Sequence, residues 1–109
     1  MAGNALPTST LNLTIEKAPM GSSIVCCTGR ITAETTGQLR ETAKSLIKES
    51  KQVVLDLTGV NYLDSAGLGM IVGLAVSAKR SGSELRLVNL GPRVKEIFTI
   101  LGLTSDSFF

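Results

Sequence analysis

The sequence predicts an α/β fold: a mixed β-sheet of about four strands with three helices packed on it, in the order β-β-α-β-α-β-α. Three observations predict it. A period-two stretch and a short apolar run near the amino terminus indicate two strands. Three later segments repeat apolar residues at helical spacing. Two further apolar runs, at residues 53–57 and 85–88, stand between those helices, which is typical of parallel strands.

The first two strands are predicted to form an antiparallel hairpin. Leu11, Leu13 and Ile15 alternate with polar residues, which indicates a half-buried edge strand. Residues 18–22 have turn composition, and residues 24–27 form the next strand. A link this short joins antiparallel neighbours. Residues 53–57 are apolar on both faces, as expected of a central parallel strand.

The first and last helices show ordinary amphipathic patterns. Thr32 is a plausible N-cap of the first helix, whose apolar face comprises Leu39, Ala43, Leu46 and Ile47. Gly91-Pro92 begins the last helix, with proline at an early position where it costs little. Its apolar face comprises Val94, Ile97, Phe98 and Leu101, and Gly102 ends it.

The middle helix, from Ser65 to about Arg80, is apolar nearly all round and ends at Ser81-Gly82. Its predicted core stripe is Leu68, Ile71, Val72 and Ala75. Met70, Gly73, Leu74 and Val76 lie outside that stripe, and residues 66–76 contain no charge. Such a helix is either fully buried or docks a partner. In so small a chain docking is favoured, which places Met70 and Leu74 on a binding face.

Composition argues for a binding protein. A chain of 109 residues is expected to be one domain, residues 1–109, with a flexible lead over residues 1–10. The net charge of +2 is dispersed, which disfavours nucleic acid. There is no histidine and no cluster of carboxylates, lysines or cysteines, so neither catalysis nor a metal or cofactor is expected.

Cysteine use and hydropathy indicate the compartment. Cys26 and Cys27 are adjacent and would point to opposite faces of a strand, so they are read as small buried hydrophobes in a reducing environment. No apolar run approaches the roughly 20 residues of a membrane span, and the amino terminus lacks the features of a signal peptide. A cytoplasmic protein is therefore expected.

The most informative segment is V-V-L-D-L-T-G-V-N-Y-L-D-S-A-G-L-G, residues 53–69, in which a strand leads through Asp64-Ser65 into a helix. It resembles the phosphorylation-site segment of the anti-sigma factor antagonists, which are STAS-domain proteins. The resemblance implies a STAS-like fold and makes Ser65 the phosphoacceptor. It also implies two partners, namely an ATP-binding serine-kinase anti-sigma factor and a phosphatase that resets Ser65. The implied partner-binding residues are Gly29, Arg30, Thr32, Asp64, Ser65, Ala66, Gly67, Leu68, Gly69, Met70 and Leu74.

One departure from the family pattern keeps an alternative open. The family usually carries G-E-[LI]-D after its second strand, whereas residues 29–32 here read G-R-I-T. The loss of both acids favours, to some extent, a non-switching STAS scaffold in a stress-signalling or lipid-transport assembly. Two lesser positions have ordinary explanations. Asp56 is expected to organise a loop as a hydrogen-bond acceptor, and Thr58, a possible second phosphosite, is an ordinary turn residue.

Overall fold

The computed structural model describes residues 10–100 and contains the predicted order of elements. The strands are β1 (Leu11–Ala18), β2 (Ser22–Ile31), β3 (Gln52–Leu63) and β4 (Glu84–Val88), and the helices are α1 (Thr36–Glu49), α2 (Ser65–Arg80) and α3 (Pro92–Ile100). A short 3-10 turn, Pro19–Gly21, joins β1 to β2. The predicted end of the last helix at Leu101 and Gly102 lies outside the described residues, as does the predicted lead up to residue 9.

The sheet is mixed, with strand order β1-β2-β3-β4. β1 pairs antiparallel with β2, as predicted, and β2, β3 and β4 are mutually parallel. The carboxyl ends of the three parallel strands therefore share one edge of the sheet, called here the carboxyl edge, and their starts share the opposite amino edge. α2 begins at the carboxyl edge, directly after β3, and ends at the amino edge before β4.

The core lies on one face of the sheet. Val53, Leu55 and Leu57 of β3 are buried, whereas Val54 and Asp56, which point to the other face, are only half-buried. Residues 53–57 lie in the predicted central parallel strand, but only one of its faces is covered. The reason is that the buried residues of all three helices join a single cluster with the covered sheet face.

α1 begins one turn later than predicted. The N-cap is Thr35, and the preceding residues form a separate turn in which Thr32 O accepts from both Thr35 N and Thr36 N at 2.9 Å. The Thr35 hydroxyl donates to Arg30 O at 2.9 Å, which ties this turn back to β2. The predicted apolar face of α1 is confirmed in full.

The two cysteines behave differently from one another. Both are free, and Cys27 is buried as predicted, where desolvation raises the pKa of its thiol to about 12. Cys26 is half-exposed on the opposite face of β2, so its predicted burial is wrong. The difference follows from the one-sided core, because neighbouring strand residues point to opposite faces.

The burial of α2 overturns part of the sequence interpretation. Met70 and Leu74 are buried, with 8% and 2% of their surface exposed, so their predicted place on an outward face is wrong. α2 packs against both α1 and β4, and contact with two elements buries a wider arc than a single stripe. Its solvent-exposed side instead carries Ser65, Ala66, Gly69, Gly73 and Val76.

The buried position of Leu74 predicts a large effect of truncation. Leu74→Ala should lower the free energy of unfolding by about 2–5 kcal/mol, because it leaves a cavity where α2 meets its neighbours. Val76→Ala, on the same helix with 48% of the side chain exposed, should change it by under about 0.5 kcal/mol. Urea unfolding of both variants measures the difference. Equal effects would contradict the burial described here.

Candidate functional site

The carboxyl edge of the sheet is organised by Asp64, the N-cap of α2. Its backbone is extended, its N–H donates to Ile31 O at 3.1 Å, and its Oδ1 accepts from Gly67 N at 2.8 Å. This is the bond by which an aspartate satisfies one of the free N–H groups at a helix start. Asp64 thereby sets where α2 begins and which residue comes first in the helix.

The second carboxylate oxygen of Asp64 reaches a different segment. Oδ2 accepts from Ala33 N at 3.1 Å, in the turn that follows β2. The Gly67 N–H, followed by those of Ala33 and Ala66, holds the pKa of Asp64 below its ordinary value, against an opposing effect of desolvation. One carboxylate therefore joins the turn after β2 to the first turn of α2.

Ser65 is the first residue of α2 and is exposed to solvent. Within residues 10–100 its hydroxyl has no hydrogen-bond partner, since Asp64 performs the capping. The unpaired N–H groups and the partial positive charge of a helix start favour an anion at this place. A kinase could therefore reach the Ser65 hydroxyl without breaking a bond in the fold.

The glycines of α2 serve different purposes. A Cβ on Gly67 would lie 2.6 Å from Ile31 O and 2.8 Å from Leu63 Cδ1, so only glycine lets α2 approach the sheet so closely. Gly69 and Gly73 face open space, with nothing within 4 Å of a Cβ built on either. Close helix–sheet packing therefore requires glycine at position 67 and does not require it at position 69.

Gly29 and Arg30, expected to follow the second strand, lie at the end of β2, and the basic side chain of Arg30 is half-buried. Gly29 has a φ of 118°, and a Cβ there would lie 2.3 Å from Thr10 O, so its role is in the backbone. The Arg30 guanidinium lies over the Tyr62 ring, 4.1 Å from its centroid, an attractive cation–π arrangement. Thr32 is buried, with its hydroxyl accepting from Glu34 N, so it offers little surface to a partner.

Tyr62 was missed by the sequence reasoning. Arg30 lies opposite Tyr62 only because the pairing of β2 with β3 shifts twice along the strands. Such shifts are typical of β-bulges and leave no regular pattern in the sequence. The one signal for Tyr62 in the sequence was its position, three residues before Ser65.

Asp56 lies within β3, opposite the last residue of β4. It is a hydrogen-bond acceptor, as predicted, but no loop follows it, and Thr58 is a strand residue and not the expected turn residue. Its Oδ1 accepts from Thr58 Oγ1 at 2.6 Å, from Thr58 N at 3.0 Å and from Asn89 Nδ2 at 3.1 Å. The Thr58 hydroxyl is the main cause that lowers the pKa of Asp56. Phosphorylation of Thr58 would remove this donor from Asp56. Thr58 differs in this respect from Ser65, whose hydroxyl is unengaged.

A groove between α1 and α2 continues from the site. Its floor is formed by Gly69, Met70, Gly73 and Leu74, and Arg40, Lys44 and Ser77 line its rim. Arg40 and Lys44 are exposed residues of α1, and helical periodicity alone does not indicate that they line a groove. The groove adds positive charge beside the exposed glycines of α2.

Within residues 10–100, no group of three or more histidine, cysteine or acidic side chains could hold a metal ion. Over the same part of the chain, no helix is long and apolar enough to cross a membrane.

Comparison with known proteins identifies the family. The profile of the STAS domain matches residues 14–108. Over 96 residues the chain is 35% identical to the putative anti-sigma factor antagonist BtrV of Bordetella bronchiseptica, covering 87% of this chain and 82% of that protein. It is 39% identical over 77 residues to the anti-sigma-B factor antagonist of Listeria monocytogenes, covering 70% and 68%. The chain belongs to the STAS domain family, among its anti-sigma factor antagonists.

Solved structures agree on the fold. The unphosphorylated anti-sigma factor antagonist SpoIIAA superposes with a TM-score of 0.75 at 17% identity, covering 90% of this chain and 86% of that one. The phosphorylated Bacillus SpoIIAA gives 0.70 at 17% identity, covering 84% and 85%. The STAS fold is therefore confirmed. The family is regulatory, which confirms the prediction of a non-enzymatic protein.

The contrast between Gly67 and Gly69 can be tested directly. Gly67→Ala should destabilise the protein by about 1–3 kcal/mol, because the new methyl group overlaps the Ile31 carbonyl. Gly69→Ala should stabilise it by about 0.5–1 kcal/mol, since alanine is the better helix former and space is open. Thermal unfolding of the two variants checks both signs, and a stabilised Gly67→Ala would contradict the close approach.

Proposed function

We propose that this chain binds a serine-kinase anti-sigma factor through a docking surface at the carboxyl edge, and that phosphorylation of Ser65 abolishes the binding. The docking surface comprises Arg30, Ser65, Ala66, Gly69 and Gly73. The observation that carries the proposal is the exposed, unengaged hydroxyl of Ser65 at the start of α2. It stands in the D-S-A-G segment by which the chain resembles its relatives.

This surface revises the one expected from the sequence. Asp64, Gly67 and Thr32 are assigned to its support: Asp64 caps the helix, Gly67 permits the close packing and Thr32 stays buried. Met70 and Leu74 belong to the core, Leu68 is half-buried, and Gly29 shapes the backbone next to Arg30. The docking surface has open space along α2, because Gly69 and Gly73 add no side chains to it.

The switch acts through charge. A phosphate on Ser65 adds about 1.5 to 2 negative charges next to Asp64. The helix start stabilises that anion by only about 0.3–1 kcal/mol. Burying it uncompensated against a partner costs several kcal/mol. The cost to the interface exceeds the local gain, so the complex dissociates while the fold persists.

The charges around the docking surface also favour dissociation of the complex on phosphorylation. Arg30 stands where the family usually has an acid, and Arg40 and Lys44 line the adjoining groove. A partner matched to these groups presents acidic residues. A phosphate at Ser65 would meet those acids and be repelled, which strengthens the switch.

The remaining parts of the proposal follow from the family resemblance. The anti-sigma factor would use ATP to phosphorylate Ser65, and a phosphatase would restore the binding state. The pathway would operate in the cytoplasm, where the sigma factor is released. The relatives named above are anti-sigma factor antagonists, and SpoIIAA is known in both phosphorylated and unphosphorylated forms.

Phosphorylation of Ser65 is tested by intact mass. Incubation with the cognate anti-sigma kinase and ATP should add one phosphate to the wild type and to Thr58→Ala, and none to Ser65→Ala. Phosphate on Ser65→Ala would move the site elsewhere. A wild type that binds the kinase yet gains no phosphate would instead support the non-switching scaffold.

The docking surface is tested by a matched pair of variants. Gly69→Gln fills the open space on α2, and it should weaken binding to the anti-sigma factor by 10-fold or more, about 1.4 kcal/mol. It should not lower stability, because glutamine is a better helix former than glycine. Ser45→Gln places the same side chain on the exposed side of α1 and should bind like the wild type. Calorimetric titration would contradict the proposal if both variants bound equally well.

A further inference from the structure

The amino edge of the sheet, opposite Ser65, brings three connections together. Lys51 N, between α1 and β3, donates to Gly21 O of the β1–β2 turn at 2.8 Å. Lys51 O in turn accepts from Glu84 N at 3.1 Å, at the start of β4, next to the end of α2. The hairpin turn, the α1–β3 link and the α2–β4 link are therefore bound side by side into one surface, called here the basal surface.

Met20 projects from the basal surface. It lies at the tip of the hairpin turn, 90% of its surface is exposed, and its φ is 65°. A positive φ is uncommon outside glycine and is disfavoured for a side chain without local hydrogen bonds. Neither packing nor turn geometry explains a methionine here, since glycine or asparagine would serve the turn better. The apolar side chain therefore points to a contact outside the chain.

The basal surface is also basic. Four of its exposed basic side chains have no carboxylate within ion-pair distance among residues 10–100: Lys48, Lys51, Lys79 and Arg80. Of the nearby acids, Glu49 pairs with Lys17 at 2.8 Å, whereas Glu84 accepts from the neutral Gln52 Nε2 at 2.7 Å and keeps its charge. The basic side chains still outnumber the acidic ones. An apolar tip thus stands among unpaired positive charges drawn from separate parts of the chain.

We infer that the basal surface binds reversibly to an anionic lipid membrane, with Met20 inserted among the headgroups. Basic side chains near the surface are attracted by anionic lipids, and an apolar side chain inserts at the headgroup boundary. A single projecting side chain suits a soft planar layer better than a protein groove, which would need a concave counterpart. One methionine with a few lysines gives weak, salt-sensitive association and not permanent anchoring.

The orientation keeps the docking surface free. α2 spans 16 residues between Ser65 and the basal surface, a length of roughly 24 Å at 1.5 Å per residue. Ser65 would therefore face away from the membrane. The inference does not depend on the phosphorylation proposal, and either could fail alone.

Vesicle sedimentation tests the inference. The chain should bind vesicles of phosphatidylcholine mixed with phosphatidylserine and should not bind phosphatidylcholine alone. Lys48→Gln/Lys79→Gln should weaken binding by about 25-fold, from roughly a factor of five for each charge removed. Met20→Asn, which suits the positive φ, should also weaken it without loss of stability. Arg93→Gln/Lys95→Gln removes the same charge from exposed positions of α3 and should bind like the wild type.

A fluorescent reporter identifies the residue that inserts. The chain contains no tryptophan, so Met20→Trp creates a single probe at the tip and Tyr62→Trp a single probe near the opposite edge. Emission of the first should shift to shorter wavelength with anionic vesicles, and emission of the second should not. Failure of the wild type to sediment with anionic vesicles would overturn the inference, leaving an acidic protein as the alternative occupant. Equal binding by all the charge variants, or equal shifts of both probes, would overturn it as well.

Discussion

The geometry of the site depends on the two oxygens of the Asp64 carboxylate. One oxygen accepts from Gly67 N and fixes the start of α2, and the other accepts from Ala33 N and fixes the turn after β2. A residue that satisfied only one of these donors would leave either the helix or the turn without its restraint. Because Asp64 does the capping, Ser65 is left with a free hydroxyl. The availability of the proposed phosphoacceptor is therefore a consequence of the bonds made by Asp64.

Much of this arrangement could be predicted from the sequence, and the reasons differ by element. The apolar face of α1, the start of α2 at Ser65 and the stop at Gly82 all follow from local patterns of residues. Met70 and Leu74 were misplaced because periodicity assumes one contact direction, whereas α2 packs against both α1 and β4. The contact of Arg30 with Tyr62 could not be predicted, since it depends on shifts in strand pairing.

Gly67 and Gly69 show how the same residue type can have two different roles in one helix. Gly67 is required by a backbone carbonyl 2.6 Å from where its Cβ would be, so it belongs to the fold. Gly69, two residues later, has no such neighbour and costs helix stability without improving packing. A residue that lowers helix stability without improving packing is typical of a binding surface. The absence of side chains at Gly69 and Gly73 thus supports docking more strongly than the hydrophobicity of α2 does.

The position of Ser65 also determines what a phosphate can change. Among residues 10–100 its hydroxyl makes no hydrogen bond that holds α2 in place, and the helix start tolerates negative charge. Modification therefore has no route by which to unfold the helix or to loosen Asp64 from Gly67. Its effect must be on the interface with a partner that packs against the helix start. A charge that is desolvated in that interface costs far more free energy than a charge in water. The proposed switch would change affinity without changing the fold, so that the chain could pass repeatedly between a binding state and a phosphorylated state.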